Sequence, residues 1–317
     1  MPRRAQITPA ILLLFAAAVV RSALADSPQA VLMAQEGASR QDAPPAEASL
    51  GQLDAEQVRA LVKRAIALQH QNDEALLEYD RTERVVNRNR DEETTETTAR
   101  VVPTGVGTVR VELERNGQPV PAAGIAQAWH WVAEVLEEKS RPDDPRVKQD
   151  YEKAAKRRRE NARMVDVIGE AFRFHWVGRT MRGGRAVIEL EFEPEPGFKP
   201  SVRFAGVYKH IWGRAWVDES SGHVTRLEAE LRRDVSFGGG IVGKIYRGSR
   251  IEIEQAEVAP GVWLPAHHSY DIEGRKFVFA ASLHRKLNAS GYRRVGPPAE
   301  ALALIRREQA QAITPNP

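Results

Sequence analysis

The 317-residue chain contains no cysteine. That absence excludes disulfides, a thiol nucleophile, thiolate metal sites and a lipid-modified cysteine. Long apolar runs are also missing. The longest, residues 11–20, follows Arg3 and Arg4 and precedes Ala23, Leu24 and Ala25. A spanning helix needs about 20 apolar residues, so this run is too short. A basic start, a short apolar centre and a small-residue site read as a secretory signal peptide over residues 1–25, cleaved after Ala25. The excess of positive charge leaves with it, since Lys plus Arg falls from 46 to 43 against 43 Asp plus Glu. A formally neutral mature chain has little electrostatic basis for binding nucleic acid. The expected product is a periplasmic protein that is not a lipoprotein.

Residues 26–50 are rich in Ala, Pro, Ser and Gln and read as a flexible linker. A folded domain is expected over residues 51–292, with a tail over 293–317 holding at most a short helix. The domain opens with a helix. Asp54 and Gln57 have capping-box spacing, Leu53 and Val58 staple positions, and Val58, Leu61, Val62, Ala65 and Leu68 make the apolar stripe. Three strands follow. In the clearest, Val109, Val111 and Leu113 alternate with Arg110, Glu112 and Glu114, the pattern of a sheet with one wet face. Two helices come next, the second starting at Asp144-Pro145. From Ala171 onward the pattern is strands alone, with turns expected at Gly183-Gly184, Pro260-Gly261 and Glu273-Gly274. Helix, strands, two helices and a run of strands make an α+β protein with a large antiparallel sheet and helices on one face. No β-α-β alternation points to a nucleotide fold.

Four stretches invite a chemical reading. Asp218, Ser220, Ser221 and His223 have the side-chain types of a hydrolase triad, but sit around a polar hairpin tip, where side chains diverge. Gly238, Gly243 and Lys244 have phosphate-loop spacing, but Ile245 stands where Ser or Thr would hold magnesium. No histidine pair has zinc-helix spacing, and adjacent His267 and His268 point to opposite faces of a strand. His268, His284 and His175 could meet only through strand pairing. The basic run over residues 153–163 reads as a solvated helix face or, through Lys153, Lys156, Arg157, Arg158 and Arg159, as a contact for anionic headgroups. No catalytic residue, metal or cofactor is assigned.

The aromatic and branched residues are the most informative set. Phe172, Phe174, Trp176, Ile188, Phe192, Leu227, Leu231, Ile251, Ile253, Phe277 and Phe279 are expected to line one face of a curved sheet, as plain core or as the wall of a cavity.

Three segments, "GGRAVIELEFEPEP", "IWGRAWVDESSGHVTRLEAEL" and "EQAEVAPGVWLPA", carry a family resemblance. With the Gly213 to Asp218 stretch and the order of elements over about residues 53–292, the chain resembles the LolA/LolB/RseB-like superfamily of periplasmic lipoprotein carriers and sensors. The resemblance implies a half-barrel wrapped around helices on its concave face, with an apolar cavity for acyl chains. It implies a non-catalytic carrier of a lipid or lipoprotein, in transient contact with membranes. The alternatives are a sensor of the same fold that binds an envelope protein and, third, a hydrolase or metal enzyme built from strand histidines.

Overall fold

The computed structural model describes residues 52–88, 93–202, 204–237, 240–277 and 279–313, without the side chains of Lys276, Phe279 and residues 310–313. The signal-peptide and linker readings lie outside the described residues. Helix α1 (Ala55–Ala75) leads through a 3-10 turn into β1 (Tyr79–Arg88), β2 (Thr94–Pro103), β3 (Thr108–Arg115) and β4 (Gln118–Pro119). Helices α2 (Ala122–Lys139), α3 (Pro145–Asp166) and α4 (Ile168–Ala171) follow. The strand-rich half comprises β5 (Phe172–Arg182), β6 (Arg185–Pro194), β7 (Ile211–Asp218), β8 (Val224–Leu231), β9 (Val235–Phe237), β10 (Gly243–Ile245), β11 (Arg250–Ala259), β12 (Val262–Lys276) and β13 (Phe279–Arg294). Helix α5 (Pro298–Ile313) ends the described chain.

All strand pairs are antiparallel, in one 13-stranded sheet ordered β4-β3-β2-β1-β13-β12-β11-β8-β7-β6-β5, with β10 on β12 and β9 on β10. The sheet is open, because β4 and β5 end the path without meeting. The middle seam joins distant sequence, with Val85 of β1 opposite Leu287 of β13.

Register defines the two faces. The partners Leu190, Ala215, Leu227, Ile253, His268, Leu287 and Val85 run across seven strands on one side, here the inner face. On it Val58 and Val62 of α1 pack against Ile188, Leu190 and Val217. Beside them Met164 of α3, Ala171 of α4 and the 3-10 residues Val207 and Tyr208 join Phe172, Phe192, Ile251 and Tyr270 in the largest core. The start of α1 follows its sequence. The Asp54 carboxylate accepts from Glu56 N and Gln57 N, and Gln57 Oε1 accepts from Asp54 N at 2.9 Å.

Three details depart from the sequence reading. Helices occupy both faces: Val102, Val109 and Val111 point away from the inner face and are buried under Val132 and Leu136 of α2 and Leu302 and Ile305 of α5. The tail therefore holds a 16-residue packed helix, because β3 presents a valine stripe that α2 covers only in part. Glu273-Gly274 is not a turn. Gly274 lies inside β12 opposite Ile245, where a Cβ would sit 2.4 Å from Lys244 O, so glycine admits the third strand rather than a reversal.

Candidate ligand cavity

Between α1 and the inner face of β5 to β8 and β11 lies a partly open cavity of about 100 Å³. Its wall is apolar except for Gln69, Gln255, Arg226 and the hydroxyl of Tyr208, which donates to Met164 O at 3.1 Å. Phe172, Phe174 and Phe192 form its aromatic side, with ring centroids 5.0 Å apart for Phe172–Phe192 and 5.7 Å for Phe174–Phe192. A wider depression of about 500 Å³ lies over Glu191, Arg214, Glu228, Glu230, Arg250 and Glu252. That surface is already ion-paired, as in Arg214–Glu189 and Arg250–Glu230, and offers an apolar ligand no shelter.

Of the residues expected on the wall, Phe172, Phe174, Phe192, Leu227, Ile251 and Ile253 line this cavity. Trp176, Ile188 and Leu231 belong to the cores beside it. Phe277 does not point inward: it sits in the β12–β13 turn, 49% exposed, at φ 53°. Once β12 continues through Gly274, the reversal falls on Phe277 instead. The side chain of Phe279 lies outside the described residues. Ile66, Gln69, Tyr208 and Ile211 also line the space, as do Val165 and Ile168, which the sequence pattern places on a helix stripe but not on a cavity wall. Their signal was present only in part, since the α1 stripe runs Val58, Val62, Ala65 and then turns polar at Gln69 and Asn72.

Those polar residues hold α1 in place. Gln255 Nε2 donates to Gln69 Oε1 at 2.8 Å, and Trp263 N donates to Asn72 Oδ1 at 3.1 Å. Arg64 donates to Ser221 O at 2.8 Å, and His70 pairs with Asp166 of α3 at 2.8 Å. Burial pushes the Asp73 carboxyl up to about 6, against the opposing hydrogen bond from Gln69.

Ser220 Oγ donates directly to Asp218 Oδ1 at 2.6 Å, and Ser221 N donates to the same oxygen. The His223 ring stacks on Trp263 with centroids 5.5 Å apart. No relay from serine through histidine to aspartate forms, and the turn is closed by the aspartate itself. Gly243 and Lys244 lie in β10, with Lys244 Nζ 2.7 Å from Asp234, while Gly238 lies outside the described residues. His268 faces inward, whereas His284 on the other face bridges Asp271 and Glu273 at 2.6 and 2.8 Å. His175 lies beside Glu193. Among the described residues no group of three metal-ligating side chains is arranged to hold a metal ion. On α3, Arg157 and Arg158 donate to the carbonyls of Val106 and Gly105. Lys153, Lys156 and Arg159 are exposed.

No family model and no curated protein matches the chain. Three solved structures are similar to it. An outer membrane lipoprotein-sorting protein domain from Vibrio parahaemolyticus has 12% identity, with 73% of this chain and 92% of that one covered, at a TM-score of 0.29. A LolA superfamily protein from Nitrosomonas europaea has 9% identity over 79% and 97% of the two chains, at 0.29. A DUF1329 family protein from Desulfovibrio piger has 12% identity over 75% and 92%, at 0.28.

Proposed function

We propose that the chain is a non-catalytic binding protein that shelters the acyl tail of a lipid or lipoprotein in the inner-face cavity, and that it works in the periplasm. The carrying observation is an apolar, partly open space under a helix fastened by a few polar bonds. Each methylene removed from water contributes about 0.8 kcal/mol, so a dozen of them contribute on the order of 10 kcal/mol gross. Ligand pockets usually measure roughly 300–1,000 Å³, several times the space seen here. Uptake therefore requires α1 to lift, and its polar bonds are the ones that must break. Ala65→Phe places a ring in the cavity and is expected to weaken displacement of a fluorescent fatty-acid probe at least about tenfold, with the far-UV spectrum unchanged. Absence of saturable binding by the wild-type protein, or unchanged binding by the variant, overturns the reading.

Contact with a membrane is a second part of the proposal. Among the described residues Lys153, Lys156, Arg157, Arg158 and Arg159 make no ion pair with an acid, although most arginines on the sheet do. Unpaired cations along one helix favour anionic headgroups.

A further inference from the structure

The inner face changes character next to the cavity. Ile253 and Ile251, on the cavity wall, pair across strands with His268 and Tyr270 of β12. The next strand places Arg285 opposite Tyr270. Beyond it, on β1 and β3, lies an ion-paired triad. Arg81 Nη2 is 2.7 Å from Glu83 Oε1, and Arg110 bonds the other oxygen of the same carboxylate. Both Arg81 and Glu83 are buried.

Arg81 and Arg110 both bond the Glu83 carboxylate, and Arg285 lies within electrostatic reach of it without bonding it. Burial alone would raise the Glu83 carboxyl, but the neighbouring Arg81 and Arg110 outweigh it and hold it below its ordinary value. Arg285 is half-buried, its Nε is sealed from solvent, and no described carboxylate bonds it. Burial and the like charge of Arg110 push its guanidinium below its ordinary value. His268 is 4% exposed. Burial lowers its imidazole to about 4, so it is neutral near pH 7. Tyr270 Oη lies 2.9 Å from His268 Nδ1; in the tautomer in which the hydroxyl donates, the imidazole proton sits on Nε2. That Nε2 is buried without a described partner. Sequestered cations and donors are costly unless an anion meets them.

We propose that Arg285 and His268, beside the Arg81–Glu83–Arg110 triad, form a site for an anionic headgroup, carboxylate or phosphate, whose tail lies in the adjoining cavity. The proposal rests on the cavity reading for the tail and not for the head. It adds a polar patch, made by Arg285, His268 and the triad, beside the part of the inner face that is apolar at the cavity. An anion here would accept charge-assisted bonds from the guanidinium and from Nε2.

The test compares dodecanoate with dodecanol as displacers of a fluorescent apolar probe, and adds inorganic phosphate alone in thermal unfolding. In the wild-type protein dodecanoate should displace at a concentration on the order of tenfold lower than dodecanol. Arg285→Gln should erase that difference without altering dodecanol, and Arg285→Lys should keep part of it. Equal displacement by acid and alcohol, or a difference that survives Arg285→Gln, overturns the head site and leaves the cavity reading standing. If neither compound displaces the probe, the cavity reading fails, and the phosphate arm decides. A rise in Tm that Arg285→Gln abolishes supports a site for free anions, and no rise overturns it. The wild-type comparison of acid with alcohol stands even if Arg285→Gln does not fold.

Discussion

Asp73, half-buried on α1, and His268, buried on β12, respond to pH in opposite directions. The folded-state value of Asp73, about 6, lies above its unfolded value of 3.8. The native state therefore binds the extra proton. Stability from this group is full below pH 3.8 and is lost as pH rises through 6. His268 has its folded value near 4, below 6.5, so its contribution is lost as pH falls through that window. Wild-type curves mix the two, and a single substitution separates them. Asp73→Asn should raise Tm above about pH 6 and converge with the wild type near pH 4. A constant offset across that range would show that the Asp73 carboxyl is not perturbed. Gly213 illustrates a purely steric demand. A Cβ there would lie 2.0 Å from Glu228 O and 2.5 Å from the Phe192 ring, so the glycine permits both the β7–β8 approach and the aromatic wall.

Elements whose boundaries rest on local chemistry were legible in the sequence. The α1 capping box and the Gly183-Gly184 hairpin, with φ of 54° and 78°, are set by residues within one turn. What failed rested on distant partners. Gly274 has turn chemistry, yet β10 needs it inside a strand. Gln69 and Asn72 look solvated until Gln255 and Trp263 are brought to them. Arg81, Glu83 and His268 carry no local signal of burial, and only the sheet order brings their strands onto one inner face. Six of the eleven residues assigned to the wall do line the cavity, because alternation fixes the face of a strand but not the distance to a void. Helix α5, expected as at most a short helix, runs for 16 residues; a Gly-Pro-Pro stretch precedes it and its apolar stripe is short, so the sequence understates it. Its packing predicts a measurable cost. Ile305, 3% exposed, should lose about 2–5 kcal/mol as Ile305→Ala, read as a lower urea midpoint at constant m. An unchanged midpoint would mean that α5 is dispensable to the β2–β3 core.

For the molecule as a whole, charge is distributed rather than scarce. Most sheet arginines are committed to carboxylates, as Arg226 is to Glu228, Glu252 and Glu254 and Arg293 to Asp80 and Glu308. The exposed cations of α3 are not. Lys153→Glu, Lys156→Glu and Arg159→Glu combined should reduce cosedimentation with phosphatidylglycerol vesicles. At about 1 kcal/mol per lost contact, the reduction should be on the order of a hundredfold. Wild-type protein that fails to sediment with such vesicles, or binds phosphatidylcholine equally well, would remove the membrane contact from the proposal.

The seam between β1 and β13 also sets a timetable. A ribosome delivers β1 roughly two hundred residues before the strand that holds it, and such long-range pairing is slow to form. Until the last strand emerges, the first four are tethered to nothing in the later sheet. A chain interrupted before residue 279 would carry two unconnected sheet fragments with a raw border on each, a ready substrate for proteases and for mispairing between copies.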